Sequence, residues 1–206
     1  MGLAVGAITA AVVAGGYPRV AQARAANAGY PGDRRLAAQA ADLRPVVTYG
    51  TAPSVNEEDA LSELRGRQLD LPVAGVERRD FLDSFFDKRG STRTHDAIDI
   101  MAPRHTAVVA VEGGTIARLF ESRAGGTTVY QFDPTTRYVY YYAHLERYAD
   151  GLQERQRVER GQVLGYVGTS GNAPKDTPHL HFAIFRLTDQ KRWWQGTAID
   201  PYRVLQ

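Results

Sequence analysis

Two histidines stand one residue apart near the end of the chain, in the stretch DTPHLHFAIF. The aromatic and branched residues after Pro178 predict a strand, and side chains two residues apart on a strand share one face. His179 and His181 therefore point the same way, and Leu180 points the other way. Two imidazoles on one face suit metal binding or proton transfer, although an HxH pair taken alone fits partly exposed strand histidines equally well.

The rest of the chain limits the kind of metal site that is available. There are only five histidines and no cysteine, so any site must use imidazole and carboxylate ligands. His95 lies in RTHDAIDI, and Asp99 follows it by four residues. These two residues and one histidine of the HxH pair supply three ligands, the number with which a catalytic zinc site keeps one position open. The remaining histidines are then available for proton transfer and charge stabilisation.

The spacing of His95 and Asp99 requires a bend. Four residues of straight strand span roughly 13 Å, too far for both side chains to hold one ion. We therefore predict that STRTHDAID is a loop that bends between the two residues and runs into a short strand, Ile98-Asp99-Ile100.

A family resemblance rests on four segments that follow one another along the chain: RTHDAIDIMAPRHTAVVAVEGGTI, YYAHLERY, RVERGQVLGYVGTSGN and TPHLHF. In this order and with these gaps, they resemble the M23 family of zinc metallopeptidases, the lysostaphin- and LytM-like endopeptidases. The resemblance covers the chain from Leu71 to Tyr202.

The resemblance assigns roles residue by residue. His95 and Asp99 match the first two zinc ligands of the family, and His181 matches the third. His179 and His144 match its two catalytic histidines that are not ligands. The implied cofactor is one Zn²⁺ ion.

Two positions near the first ligand stand apart from the family pattern. The family usually has glycine two residues after the first histidine; this chain has Ala97 there, which keeps a small residue at the bend between the ligands. His105, in PRHTAVV, matches no motif position, and we predict an ordinary turn or surface histidine there.

The resemblance also implies how the two non-ligand histidines act. His179, beside the ligand His181, is predicted to accept the proton of the attacking water and return it to the leaving amine. His144 is predicted to donate to the developing oxyanion. The sequence leaves these two roles open to exchange or sharing.

The N-terminal segment differs in character from the rest. Residues 3–16 read LAVGAITAAVVAGG, an apolar run too short for a membrane span of about 20 residues but suited to a secretory signal peptide. Small residues offer cleavage sites after Ala23 or Ala25, but no basic residue precedes Arg19. We predict a signal peptide or membrane tether over residues 1–25, with export to the periplasm or cell envelope.

We predict a linker over residues 26–70 and a peptidase-like domain over residues 71–206. The first part of the linker is rich in Ala, Arg and Pro. Within it, SVNEEDALSELRGR predicts a short helix, with acidic residues near its positive end, although a solvated connector fits this stretch equally well.

Short strands about every ten residues, with little helical periodicity, predict a mainly antiparallel β domain. We expect a first strand in LPVAGV, two strands around the turn at residues 112–114, a hairpin turning at Asp133-Pro134, and a further strand in GQVLGYVGTSGN. The glycines of that last stretch precede no Gly-Lys-Ser/Thr, so we assign them to turns and close backbone approach rather than to a phosphate loop. The resemblance implies a β-sandwich of the M23 peptidase (duplicated hybrid motif) type.

The function implied by the resemblance is a zinc endopeptidase that cuts cross-bridge or stem peptides of bacterial peptidoglycan. A formal charge of +2 without a basic stripe gives no support for nucleic-acid binding. Two alternatives belong to other classes. One is a catalytically silent module that binds the cell wall or activates another hydrolase, and the other is a cytoplasmic phosphocarrier domain that also pairs two histidines. Neither would need Asp99 beside the histidines.

Overall fold

The computed structural model describes residues 46–47, 55–88 and 94–206. The predicted signal or tether segment at residues 1–25 and the linker up to residue 45 lie outside these ranges. Within them, the secondary structure is mainly β, and no helix is long and apolar enough to cross a membrane.

The described ranges contain ten strands and two α-helices. The strands are β1 (Val46–Val47), β2 (Ile98–Met101), β3 (Ala107–Val109), β4 (Gly114–Ser122), β5 (Gly126–Phe132), β6 (Tyr138–Tyr148), β7 (Arg157–Val158), β8 (Val163–Val167), β9 (His179–Leu187) and β10 (Gln195–Ile199). The helices are α1 (Val55–Gly66) and α2 (Pro201–Leu205), and a single 3₁₀ turn spans Arg78–Asp80.

The strands form one branched sheet in which every described pairing except β1 with β10 is antiparallel. Its main path runs β1-β10-β9-β6-β5-β4-β7. Strand β2 pairs with the first half of β9, and the ribbon of β3 and β8 joins the end of β6. The mainly antiparallel β fold expected from the sequence is therefore formed.

Alternation along β9 separates the core from the surface that carries the histidines. Leu180, Phe182 and Ile184 belong to the larger hydrophobic core. That core also includes apolar residues of α1, α2, β3 and β8, which cover this face of the sheet. The residues in between, beginning with His179 and His181, point to the opposite face, where a smaller apolar cluster lies. The face assignment made from the HLHF sequence is confirmed.

The four tyrosines of YVYYYAH divide between the same two faces. Tyr138, Tyr140 and Tyr142 lie in the larger core, and Tyr141 lies in the smaller cluster. Tyr141 is close to the histidine face, since its ring centroid is 5.9 Å from that of His181.

The hairpin of β5 and β6 has the turn that the sequence predicts. The Asp133 carboxylate closes the turn by accepting hydrogen bonds from the main-chain N–H groups of Thr135, Arg137 and Tyr138, at 3.0, 2.7 and 2.7 Å. Aspartate favours turns because its side chain can bond to the backbone a few residues ahead. This hairpin places β6, with His144 near its end, directly beside β9.

Two other strand predictions are wrong in detail. Strands β3 and β4 form on either side of residues 112–114 but do not pair with each other, since β3 pairs with β8 and β4 pairs with β5 and β7. The segment LPVAGV forms only one isolated bridge, between Val73 and Val108. A local hydrophobic pattern does not specify the partner, and the partners of β3 and of Val73 lie far along the sequence.

Helix α1 confirms the helical reading of SVNEEDALSELRGR and is part of the folded unit. Ala60, Leu61 and Leu64 form one helical face, and all three are buried in the larger core. Arg67, just after the helix, forms ion pairs with Asp133 at 2.9 Å and Glu112 at 2.8 Å. The hydrophobic core thus extends into the stretch that we assigned to a linker ahead of residue 71.

We expect Leu64→Ala to lower the free energy of unfolding by about 2–5 kcal/mol, because it removes a fully buried side chain and leaves a cavity. Urea denaturation measures the change. The matched control is Leu82→Ala, at a leucine that is 69% exposed, for which we expect a change within about 0.5 kcal/mol. An unaltered unfolding midpoint for Leu64→Ala would show that α1 does not belong to this core.

Candidate active site

The pairing of β2 with β9 brings the first pair of candidate ligands together. Asp99 on β2 lies directly opposite His181 on β9, and Ala143 on β6 lies on the other side of His181. Directly opposed side chains of an antiparallel pair are about 5 Å apart at Cβ. The small side chain of Ala143 leaves the space beside His181 to the imidazoles.

His95 reaches the same point through the bend that the sequence predicts. Asp96 has a φ of 58°, in the left-handed region, and this turns the chain between His95 and Asp99. The Asp96 N–H donates to the carbonyl oxygen of Phe85 at 3.0 Å, which fixes the turn. Ala97 is not among the residues with positive φ and is fully buried. Alanine is acceptable at position 97 because the residue that takes the left-handed conformation at the bend is Asp96 and not Ala97.

The three candidate ligands form a nearly equilateral triangle of donor atoms. His95 Nε2, Asp99 Oδ1 and His181 Nδ1 lie 3.0 Å apart in each of the three pairs. All three side chains lie on the sheet face away from the larger core, at the junction of β2, β9 and the loop before β2.

The protonation states make this triangle rich in lone pairs. A carbonyl oxygen can only accept, so His95 Nδ1 donates to the Ser84 oxygen at 3.0 Å, and the neutral ring presents a lone pair at Nε2. Burial lowers the pKa of His181, so that ring is also neutral. Burial alone would raise the pKa of Asp99, but the adjacent His181 and His95 rings outweigh it and hold that pKa far below its ordinary value, so Asp99 presents carboxylate lone pairs.

The residues present fit a zinc ion. Three such electron-rich atoms at 3.0 Å from one another need a bridging hydrogen or a positive charge among them, and a metal cation supplies that charge. Two imidazole nitrogens and one carboxylate oxygen form a donor set that zinc accepts. In a tetrahedral zinc site the ligand atoms are about 3.3 Å apart, so a small outward movement of the side chains is enough. The hydrogen bond from His95 to Ser84 is the outer contact that typically orients a histidine ligand.

His144 is held beside this triangle by an unusual backbone conformation. Its φ is 61°, and the pairing of β6 with β8 shifts register just after it, between Leu145 and Arg147. A bulge of this kind re-aims a side chain next to a functional site. The His144 N–H donates to the Gly125 oxygen at 2.8 Å, and its ring Nδ1 donates to the Ser170 oxygen at 2.9 Å.

His179 is oriented in the same way as His144. Its Nδ1 donates to the carbonyl oxygen of Thr177 at 2.8 Å, and its Nε2 lies 3.8 Å from Asp99 Oδ1. The ring centroids of His144 and His179 are 5.0 Å apart. In the neutral state both rings therefore carry hydrogen on Nδ1 and present the lone pair of Nε2.

Two glycine-containing loops pack backbone to backbone and hold His144 in place. Gly126 and Gly171 both have positive φ, and a Cβ added to Gly126 would lie 2.2 Å from Ser170 Oγ. Ser170 Oγ also accepts a hydrogen bond from the Thr127 N–H at 2.9 Å. Both glycines serve close backbone approach, which the sequence predicts for Gly171.

All five sequence-predicted site residues are brought together on one face of the sheet. His105 lies outside this group, exposed in a turn, as predicted. Sequence reasoning did not identify the supporting acceptors, which are the carbonyl oxygens of Ser84, Ser170 and Thr177. Main-chain acceptors carry no residue-type signature, so no sequence signal pointed to them.

Comparison with known proteins places this arrangement in a family. The sequence pattern described as Peptidase family M23 matches residues 93–201, which contain all five site residues. The chain is 34% identical over 122 residues to the L-Ala–D-Glu endopeptidase of Bacillus subtilis, covering 57% of this chain and 36% of the relative. It is 29% identical over 162 residues to the cell division protein DipM of Caulobacter vibrioides, covering 79% of this chain and 24% of DipM. The chain therefore spans about a third and a quarter of the lengths of these two relatives.

Solved structures agree on the fold. A candidate glycyl-glycine endopeptidase LytM from Ruminococcus gnavus matches with a TM-score of 0.55 and 28% identity, covering 68% of this chain and 60% of that one. A candidate M23 peptidase from Pseudomonas aeruginosa matches with a TM-score of 0.52 and 24% identity, covering 84% of this chain and 60% of that one. The second match concerns the fold alone. The mainly β fold expected from the motif resemblance is confirmed.

We expect the His144 ring to titrate with a midpoint near pH 4 in the metal-free protein. Burial, followed by the charges of His181 and His179, lowers its pKa to about 4. Because an unfolded histidine has a pKa of about 6.5, the stability contributed by neutral His144 is lost as the pH falls from about 6.5 towards 4. Histidine ring NMR measures the midpoint, with His144→Gln to assign the resonance. A midpoint near 6.5 would contradict the burial argument.

Proposed function

We propose that this chain, which belongs to peptidase family M23, is a zinc-dependent endopeptidase acting on peptides of bacterial peptidoglycan. The observation that carries the proposal is the triangle of His95 Nε2, Asp99 Oδ1 and His181 Nδ1, 3.0 Å on each side, with two further histidines beside it. Three protein ligands with one open position are typical of catalytic zinc rather than of structural zinc.

The metal ligands in this proposal are His95, Asp99 and His181. When bound, zinc supplies a Lewis acid that polarises the scissile carbonyl and lowers the pKa of a water molecule to about 7. The protein's own contribution is to hold three lone pairs in place. Ser84 orients His95 through its carbonyl oxygen and contacts the Asp99 N–H through Oγ, at 3.4 Å.

His179 is the proposed general base and general acid. Its Nδ1–H is committed to the Thr177 oxygen, so Nε2 accepts the proton of the attacking water and then returns it to the nitrogen of the leaving amine. The Asp99 Oδ1 atom lies 3.8 Å from His179 Nε2, so the proposed base is next to the proposed metal ligands.

His144 has a narrower role than the resemblance alone implies. Its Nδ1–H is committed to the Ser170 oxygen, so the neutral ring has no hydrogen at Nε2 with which to stabilise an oxyanion. Donation from Nε2 requires the protonated ring, which burial disfavours by lowering the pKa to about 4. We propose that His144 contributes to the oxyanion only when its ring is protonated, at a position beside His179.

The substrate class rests on the relatives. The Bacillus subtilis relative is named an L-Ala–D-Glu endopeptidase, and the Ruminococcus gnavus structure is described as a candidate glycyl-glycine endopeptidase. We propose peptidoglycan peptides for this chain on that basis. The apolar run at residues 3–16 supports export to the periplasm or cell envelope, and a signal peptide or tether there stays a prediction from the sequence.

The same five residues distinguish the peptidase from the two competing functions. A silent cell-wall module does not need five site residues in contact, and the chain brings all five together. A phosphocarrier domain does not need Asp99 paired with His181, and the family match to Peptidase family M23 disfavours that class.

We expect His181→Ala to weaken zinc affinity by at least about 100-fold, because it removes a ligand rather than an outer contact. His179→Ala should keep zinc and lose kcat by about 100-fold to 10,000-fold. Elemental analysis and peptide cleavage measure the two effects, and His105→Ala, at an exposed histidine outside the site, is the control. A His179→Ala protein with wild-type activity would remove the general-base assignment.

The proposed activity is tested by mass spectrometry of muropeptides after digestion of purified peptidoglycan. We expect cleavage at one class of peptide bond, its loss on chelation and its return on addition of zinc. If the folded protein binds peptidoglycan and holds zinc but cleaves no bond, the silent-module alternative replaces the peptidase.

A further inference from the structure

We propose that the outer edge of β2 at Met101 binds the main chain of the peptide substrate, as an added strand next to the metal ligands. This inference rests on the proposed function and names the residue that positions the substrate. It is carried by the direction of the Met101 backbone groups, by the exposure of the residues around them and by their distance from the catalytic groups.

Strand β2 is an edge strand. Among the described residues it pairs only with β9, through Ile98–Met101 opposite Phe182–His179. An edge strand presents unpaired N–H and C=O groups, a template for another extended chain. The edge strands of natural sheets are usually covered or interrupted. An open edge strand beside a candidate active site is therefore a suitable place for a peptide to pair.

Two hydrogen bonds fix which β2 groups face outward. The Asp99 N–H donates to Ser84 Oγ at 3.4 Å, on the side away from β9. Opposite Met101, the His179 N–H donates to the Gly168 oxygen at 3.4 Å, on the far edge of β9. Opposed residues in an antiparallel pair either exchange both hydrogen bonds or neither. The pair of Met101 and His179 therefore exchanges neither, and the N–H and C=O of Met101 point outward.

These outward groups are available to a ligand. Within residues 55–88 and 94–206, no main-chain hydrogen bond reaches Met101 from the outer side. At Asp99 the same edge is covered by Ser84, so the open part begins at Met101, two residues beyond the metal ligand. A peptide seated there lies about 7 Å from Asp99 along the strand.

Three exposed apolar residues lie on β2 or in the segment that contacts it. Leu82, Phe86 and Met101 are 69%, 69% and 49% exposed, and they are the large exposed hydrophobic residues of the described chain. Leu82 and Phe86 lie two residues on either side of Ser84, the residue that contacts Asp99. The Met101 side chain lies on the same sheet face as Asp99 and opposite catalytic His179. Exposed apolar residues close to a functional site are typical of a contact surface.

An extended peptide fits both features. Its main chain can accept a hydrogen bond from the Met101 N–H and donate one to the Met101 C=O, the pattern of β-strand addition. Its apolar side chains can contact Met101, Leu82 and Phe86. Main-chain bonds of this kind hold the peptide in register, so that one peptide bond is presented to the Nε2 of His179.

The test compares two substitutions at residue 101. Met101→Pro removes the N–H, and proline is tolerated in an edge strand whose N–H faces outward. We expect the proline variant to fold, keep zinc and keep kcat within about twofold, while its KM for soluble muropeptides rises by about five- to tenfold. Met101→Leu keeps the N–H and a similar volume, and its KM should stay within about twofold of wild type. Equal KM values for the two variants would overturn the inference.

A second readout needs no substitution at residue 101. In the His179→Ala protein, soluble muropeptides should slow the hydrogen exchange of the Met101 amide by at least about tenfold. Unchanged exchange at saturating muropeptide would overturn the inference, even if the proline variant fails to fold. Slowed exchange in a protein whose wild type cleaves no peptide would support the binding edge and remove the endopeptidase assignment.

Discussion

The antiparallel pairing of β2 with β9 is the constraint on which the site depends. It sets Asp99 opposite His181 and Met101 opposite His179, so one register brings together two proposed metal ligands, the proposed general base and the open edge. A shift by one residue would turn the two histidines or the aspartate towards the core face. That shift is prevented by burial, because Ile98, Ile100, Leu180 and Phe182 fill the core from the other side of the same strands.

Two irregular backbone conformations beside these strands orient the imidazole rings. Asp96 and His144 both take left-handed conformations, the first to turn His95 back onto Asp99 and the second to turn the His144 ring towards His179. Each non-ligand histidine then donates Nδ1–H to a carbonyl oxygen, which leaves Nε2 pointing at the reacting groups. Strained backbone of this kind is typically concentrated at functional sites.

The sequence predicts much of this, for identifiable reasons. Side chains alternate on a strand, so HLHF alone places His179 and His181 on one face, and the length of a straight strand alone requires the bend after His95. The partner of β3 could not be predicted, because β3 pairs with β8, far along the chain, and not with the adjacent β4. The tautomer of His144 could not be predicted either, since it depends on the Ser170 carbonyl oxygen, which is a main-chain atom.

The central claim is that one zinc ion is held by His95, Asp99 and His181, and anomalous diffraction at the zinc absorption edge from zinc-grown crystals tests it most directly. The account predicts a single strong peak about 2.0–2.2 Å from His95 Nε2, Asp99 Oδ1 and His181 Nδ1, with Nε2 of His144 and His179 outside bonding distance. A zinc-loaded crystal whose peak lies elsewhere, or is shared with His144 or His179 as ligands, would contradict it.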